Sequence, residues 1–291
     1  MRLVEALVSA LMVAGLYASS SYGLALIYGV MKIINLANAG TMMLGAFTTW
    51  VLWQWVGLDP IASVIIVAPL GFALGALIEA LLVRRVSGQP PIVSLLLLFG
   101  VWLVMESAAY LIFGGDTRGV VPAYVQTTFA IGGVVVSVTR LAVFVAGIVI
   151  LVGLELFLRR TFLGRAIRAL AQDREACALA GIDIKRVGMI AFGIGTALAA
   201  TAGALLTLVF SFDPDFGRVL QLKSFTIIVL GGLESIVGVA LASFLLALAE
   251  NLTVTLSKPA LENLVSFVVL VVVLVVMPGG LAALLRRRRV G

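Results

Sequence analysis

Apolar blocks as long as a bilayer is thick follow one another along nearly the whole chain, and this constrains the fold more than any motif does. Eight can be read, at about 6–30, 36–56, 61–83, 92–113, 141–158, 187–212, 221–253 and 264–285. A helix needs about 20 apolar residues to cross a hydrocarbon core of about 30 Å. Charged residues are only 12% of the 291, against about 25% in soluble domains. Backbone groups in lipid must be paired within the segment, so spanning blocks of this length are helices. A β-barrel would show alternating segments of about ten residues instead. The fold class is therefore an all-α polytopic membrane protein embedded in the lipid bilayer, read as one domain over 1–291, since no linker or low-complexity segment divides it.

Composition also excludes chemistry. Cys177 is the single cysteine and histidine is absent, which removes an intrachain disulfide, the commonest metal ligand and the commonest general base. There is no Ser/His/Asp set and no Walker A sequence, so no catalytic residue, metal site or cofactor is expected in this chain. The net charge of +6 is explained by loops facing an anionic cytoplasmic leaflet, not by nucleic acid. No cleavable signal is expected, because the first apolar block runs on without an A-x-A-like site.

Arginine and lysine mark the cytoplasmic side. Arg84 and Arg85 form one marker, the loop 159–186 a second and Arg286–Arg289 a third. Three simple crossings between the second and third markers would leave Arg286–Arg289 outside. The block 221–253 is too long for one span and short for two, and it contains LGGLESIVG. It reads as a re-entrant segment that descends, breaks at Gly231–Glu234 and returns to the same side. Irregular backbone at that depth is tolerated only against protein or a water-filled cavity, which makes Gly231, Gly232 and Glu234 candidates for a pathway lining. In the first third, KIINLANAG carries Asn35 and Asn38 between two blocks. The N-terminus lies outside if the early blocks cross simply, and inside if the Asn segment is re-entrant. The faint likeness between INLANAGTMMLGA and IVLGGLESIVGVA hints at paired broken segments. Asn35 and Asn38 can line a pathway or bond across helices. Glu106 is a mid-span acid with no evident basic partner, and Glu250 falls near the end of its block. The external loop 114–140 contains TTFAIGGVVVSVT, which predicts a hairpin around Gly132-Gly133. Asp213, Pro214, Asp215 and Arg218 fall in the other external loop.

The stretch 162–187 is the longest charged segment. Leu163, Ile167, Leu170, Ala171 and Ala178 recur there at helical spacing, with Arg165, Arg168, Arg174 and Glu175 on other faces. Two short helices are predicted, near 163–171 and 174–180. Asp173 caps the second, Glu175 suits its dipole, and Gly181 ends it in the left-handed conformation. An amphipathic helix pair between two spans suits docking of a cytoplasmic protein.

At these residues the chain resembles the LivH-type permeases of branched-chain amino acid ABC transporters. Glu175-Ala176-Cys177, three residues and Gly181 match the E-A-A-x-x-x-G core of importer permeases, with Cys177 for the second Ala. YGVMKIINLANAGTMMLGAF and VLGGLESIVGVALASFLLALAE resemble an early and a late stretch of the family. Asn38 stands where the family usually has His, Ala39-Gly40 replaces Gly-Glu, and Glu234 replaces Gly. The resemblance implies a bacterial inner-membrane importer for branched-chain amino acids or a related small polar solute. It implies a second related permease chain, two cytoplasmic ABC ATPase subunits holding ATP-Mg, and an external substrate-binding protein. It also implies that Gly164, Arg165, Arg168, Asp173, Arg174, Glu175, Ala176 and Gly181 form the ATPase-coupling loop. The rival class is an ion-coupled secondary transporter or channel, which calls for coupling carboxylates in the membrane.

Overall fold

The computed structural model describes residues 2–131, 134–232, 235–256, 261–276 and 280. The chain enters as α1 (Arg2–Met31), turns at 32–37, and continues as α2 (Asn38–Val51), prolonged by a π-helical turn, Leu52–Val56. Then α3 (Pro60–Ile78), a second π-turn and α4 (Arg84–Val86) form one continuous run. Asp59 opens it, accepting from Ile61 N at 2.8 Å. After α5 (Pro91–Phe113) and a 3-10 turn come β1 (Thr128–Ile131), β2 (Val134–Ser137) and α6 (Val138–Arg160). The short α7 (Phe162–Gln172) and α8 (Arg174–Leu179) lead into α9 (Ile184–Leu206), α10 (Phe216–Gly231), α11 (Ile236–Leu256) and α12 (Glu262–Val276).

Eight apolar blocks do not become eight equal spans. Six helices among the described residues are long and apolar enough to cross a membrane: Leu7–Met31, Pro60–Val86, Pro91–Phe113, Val138–Arg160, Ile184–Leu206 and Val237–Leu256. The block 36–56 is shared between α2 and its π-turn, α10 has 16 residues, and α12 has 15. The block 221–253 begins earlier than hydropathy suggests, since α10 starts at Phe216, and it breaks after Gly231.

Two helices make the centre. The apolar windows of α1 and α9 are 89% and 72% buried inside the protein, against 22% to 39% for the other four spans. Their sequences explain this, because both are rich in Gly, Ala, Ser and Thr, which let backbones approach closely. A Cβ on Gly23 of α1 would stand 2.2 Å from the Gly195 carbonyl oxygen of α9, and one on Gly203 would stand 1.9 Å from that of Met42 in α2. Outside these, α3, α5 and α6 present Leu, Ile and Val outward, as lipid-facing helices do.

The ends of α1 settle the side of the N-terminus. Ser9 Oγ accepts from Arg140 Nη1 at 3.3 Å, at the start of α6 and next to the hairpin. At the other end, Met31 shares a cavity with Arg84, Arg174 and Lys185. So α1 runs from the hairpin end to the arginine end, which puts the N-terminus at the hairpin end, outside. The Asn segment is a non-helical break, 32–37, between α1 and the short α2. The hairpin itself is present as expected, antiparallel with Thr128 opposite Ser137 and Ile131 opposite Val134. Gly132 and Gly133 lie outside the described residues. The two external loops are joined by an antiparallel bridge, Arg118 N to Phe212 O at 2.7 Å and Phe212 N to Arg118 O at 2.9 Å.

Candidate translocation pathway and coupling helices

The broken segment forms an antiparallel helical hairpin. Gly232, with φ +93°, ends α10. Ser235 then caps α11, its Oγ accepting from Gly238 N at 3.0 Å. A Cβ on Gly231 would stand 2.5 Å from the Gly238 carbonyl carbon, so this close crossing requires glycine. Glu234, placed in the pathway from the sequence, lies outside the described residues, as do Arg286–Arg289. Chain direction reverses between α10 and α11, because Lys223 in α10 stands beside Glu250 in α11 at 3.1 Å.

Asn35 and Asn38 are buried where the chain turns from α1 into α2. Both meet Gln221 of α10: Asn38 Nδ2 donates to Gln221 Oε1 at 3.1 Å, and Gln221 Nε2 donates to the Asn35 carbonyl at 3.2 Å. The side-chain oxygens of Asn35 and Asn38 have no protein partner although fully enclosed. The structure brings these two residues together but not with the Gly231–Gly232 break. That break is ten residues further along α10, about 15 Å at the helical rise.

Beside the amides lies a buried charge cluster that the sequence reading missed. Lys223 and Glu250 are 5% and 2% exposed. Tyr17 Oη donates to Glu250 Oε2 at 2.6 Å, Lys223 Nζ donates to Tyr17 Oη at 2.8 Å, and Ser266 Oγ donates to Glu250 Oε1. Ser20 and Ser224 hydroxyls meet at 2.9 Å one turn away. Four helices, α1, α10, α11 and α12, thus share one polar knot. Lys223 was hidden by its place inside an apolar block. The signal was the pairing of that lysine with Glu250 within the same block.

Glu106 also has a partner, contrary to expectation. Arg218, assigned to a loop from the sequence, stands in the first turn of α10, and its Nη2 lies 2.7 Å from Glu106 Oε1. Asp215 lies 3.1 Å from the same nitrogen and accepts from Tyr110 Oη at 2.9 Å. Glu106 and Glu250 are therefore each paired with a cation of α10, as buried Glu79 is with Arg84 at 3.0 Å.

At the opposite end, α8 is capped by Asp173 as the sequence predicts, and α7 by Thr161, which the sequence reading did not single out. Thr161 Oγ1 accepts from Gly164 N at 2.9 Å, Asp173 Oδ1 from Ala176 N at 2.9 Å and Asp183 Oδ1 from Arg186 N at 3.0 Å. Gly181 has φ +76°. The apolar stripe is used differently from expectation. Ile167 and Leu170 are buried against α6, α1 and α9, and Cys177 rather than Ala178 faces inward. A Cβ on Gly164 would stand 2.2 Å from the Phe157 carbonyl, so α7 folds tightly back on α6. What remains on the surface is Arg165, Arg168, Arg174, Glu175 and Ala176, with Phe162 75% and Leu179 91% exposed.

Against this geometry the comparisons are direct. The family model described as branched-chain amino acid transport system / permease component matches residues 6–274. The chain belongs to this family. It is 30% identical to the high-affinity branched-chain amino acid transport system permease protein BraD of Pseudomonas aeruginosa, over 96% of this chain and 95% of the relative. It is 27% identical to the permease protein LivH of Salmonella typhimurium, over 91% and 90%. A fructose import permease protein, FrcC of Rhizobium meliloti, is 29% identical over 61% of this chain and 49% of its own length. No solved structure matches significantly. The chain is thus a multi-pass permease component of an importer, and the rival class of ion-coupled transporter finds no support.

Proposed function

We propose that this permease forms half of the pore of an ATP-driven importer for branched-chain amino acids or a closely related small polar solute. A second permease chain completes the pore, two cytoplasmic ABC ATPase subunits bind and hydrolyse ATP-Mg, and an external binding protein delivers the solute. The observation that carries the reading is the capped α7–α8 pair. Its inner face is spent on the protein's own helices, and its outer face leaves Phe162, Leu179, Arg165 and Arg168 exposed, with Arg174 reaching Ser87 Oγ at 3.5 Å. A capped, tightly seated helix pair transmits a push, whereas a slack loop absorbs it. Gly164, Arg165, Arg168, Asp173, Arg174, Glu175, Ala176 and Gly181 either shape that pair or stand on its surface. The route for solute runs along α1, α2 and α10, past Asn35, Asn38 and Gln221, toward the Gly231–Gly232 break. The pairing of Glu106 and Glu250 with Arg218 and Lys223 argues against ion coupling, which needs a carboxylate left to exchange its ion.

Purification of a tagged chain from its native membrane tests this. ATPase subunits should co-purify, and proteoliposomes holding the assembly should accumulate solute only with ATP. Uptake by the chain alone, driven by an ion gradient, would overturn the proposal.

A further inference from the structure

A cleft of about 260 Å³ lies at the cytoplasmic end, between the end of α1, the close of the α3–α4 run and the helices α7, α8 and α9. Its polar lining is Glu79, Arg84, Ser87, Arg174 and Lys185, and the rest is apolar. One acid thus shares the cleft with three cations. Glu79 is 3% exposed, and its charge is met by Arg84 at 3.0 Å. Arg174 Nη2 reaches Ser87 Oγ at 3.5 Å, a contact with a neutral group. Lys185 has no hydrogen-bond or ion-pair partner among the described residues. The acids next to these cations along the chain, Asp173, Glu175 and Asp183, do not line the cleft. The two aspartates spend Oδ1 on capping α8 and α9. Two positive charges are therefore left facing a cleft that holds no counter-charge for them.

We propose that this cleft binds a phosphate group, carried by an anionic lipid or by a soluble phosphate ester, with Arg174, Lys185 and the Ser87 hydroxyl as its ligands. The donors come from three elements: Ser87 just past α4, Arg174 at the start of α8 and Lys185 in the first turn of α9. Three donors converging from three sides suit an anion with three acceptor oxygens better than a carboxylate with two. Arginine offers phosphate a planar fork and lysine a point charge. Ser87 Oγ accepts from Arg174, so its own proton is left to give. The first turn of α9 adds the positive end of a 23-residue helix. Position and size agree. The cleft sits where the spans α1 and α3 end on the arginine side, and basic pockets between helices at that level take anionic head groups. A cavity of about 150 Å³ admits benzene, so this one has room for a phosphate and the glycerol that carries it. Phe162 and Leu179, the exposed apolar residues of α7 and α8, do not line it. The cleft is therefore a surface apart from the ATPase-facing side. A phosphate held there ties α8 and α9 to the end of α4.

The test uses the full chain in maltoside micelles, which carry neither phosphate nor charge, and reads the thermal unfolding midpoint as each probe is titrated. The probes are dioleoylphosphatidylglycerol, glycerol phosphate, and dioleoylglycerol, which has the same chains without the phosphate. Sodium chloride at matched ionic strength controls for screening. A rise with the phospholipid alone assigns the phosphate to a lipid, and a rise with glycerol phosphate assigns it to a soluble ester; either supports the proposal. Dioleoylglycerol and sodium chloride should do neither. Lys185→Gln should weaken the effective probe about tenfold, as loss of a charge-assisted bond does. Arg186→Gln removes the same charge one residue away, outside the cleft lining, and should change the affinity less than about twofold. Gly188→Leu fills the cleft and keeps every charge. A Cβ there meets only Met31 Cε within 4 Å, at 3.9 Å, and leucine suits a helix interior better than glycine. That variant should hold its midpoint without probe and lose the response. No response to either phosphate probe, equal losses in Lys185→Gln and Arg186→Gln, or an undiminished response in Gly188→Leu would overturn the proposal. So would Lys185→Gln releasing the ATPase subunits while the chain alone ignores both phosphates, which would give the cleft to an acidic side chain of a partner. Each readout but that last is binding to the chain itself, so failure here would leave the permease reading untouched.

Discussion

Replacing Gly181 tests whether the α7–α8 pair transmits force. Gly181 sits just past the end of α8 with φ +76°. Its N–H bonds the Ala178 carbonyl at 3.1 Å, and Ile182 N–H bonds the Cys177 carbonyl at 3.0 Å, which closes the helix end in a Schellman arrangement. A Cβ added here would meet nothing within 4 Å, so a substitution carries no packing clash and its whole cost is conformational. For an L-residue in the left-handed region that cost is about 1–2 kcal/mol, and the β-branched Val falls at the upper end. Asn tolerates this region and should cost less than about 1 kcal/mol. The strain is most easily relieved by unwinding α8, since a helix of six residues has little stability of its own. About 2 kcal/mol shifts that local equilibrium roughly 30-fold. The buried helices α1 and α9 are untouched, so Gly181→Val should insert and accumulate normally. ATPase co-purification and ATP-dependent uptake should fall in the order Gly, Asn, Ala, Val. Uptake by Gly181→Val equal to that of the unaltered chain, at equal membrane yield, would refute the coupling role.

Other substitutions probe other links. Gly203→Ala places a methyl 1.9 Å from the Met42 carbonyl oxygen and should cost about 3 kcal/mol, seen as a lower unfolding midpoint; an unchanged midpoint would mean that α2 and α9 do not approach this closely. Gly232→Leu puts a bulky residue at φ +93° and should abolish uptake while the chain still assembles with its partners; normal uptake would remove the break from the pathway. Leu179→Asp should weaken ATPase association without a change in midpoint, since Leu179 is 91% exposed, whereas Leu170→Asp should destabilise the chain, since Leu170 is 4% exposed. In a Cys177→Ala background, a cysteine at Thr128 should react with an impermeant thiol reagent outside sealed cells and one at Leu179 should not; the reverse pattern would invert the topology.

The parts legible in the sequence are those set by local rules. Period, capping residues and a glycine just past a helix end located α7, α8 and Gly181, because each depends on neighbours a few residues away. The paired strands of the external hairpin were legible for the same reason. The break and reversal within 221–253 followed from charge markers and glycines, a rule about sides of a membrane and not about packing. What stayed hidden depends on contacts across the chain. Lys223 and Glu250 are 27 residues apart in sequence, and hydropathy averaged both away inside one apolar block. Gln221, 186 residues from Asn35, looked like an ordinary polar residue at a block edge. The partner of Glu106 was missed because the start of α10 was placed after Arg218. The apolar stripe of α7 was read as a face for a docking protein, but its cover is the protein's own α6, α1 and α9, because helical period reports that a face is covered and not by what.

These contacts constrain how motion can pass through the permease. The short helix α7 is seated on α6, α1 and α9 through Ile167 and Leu170. Of these, α1 and α9 are the most buried spans and are locked together by backbone contact at Gly23 and Gly195. A displacement of α7 therefore moves the α1–α9 pair as a body, since close-packed glycine crossings leave no side-chain layer in which to slide. Along α1 that body carries Tyr17, which holds Lys223 and Glu250, and the turn after it carries Asn35 and Asn38, which hold Gln221. All four of those ties end on α10 or α11. The arms of the hairpin α10–α11 are themselves pinned together where Gly231 meets Gly238, so they take up the displacement as one. A push at the cytoplasmic end thus arrives at the polar knot and the amide cluster together.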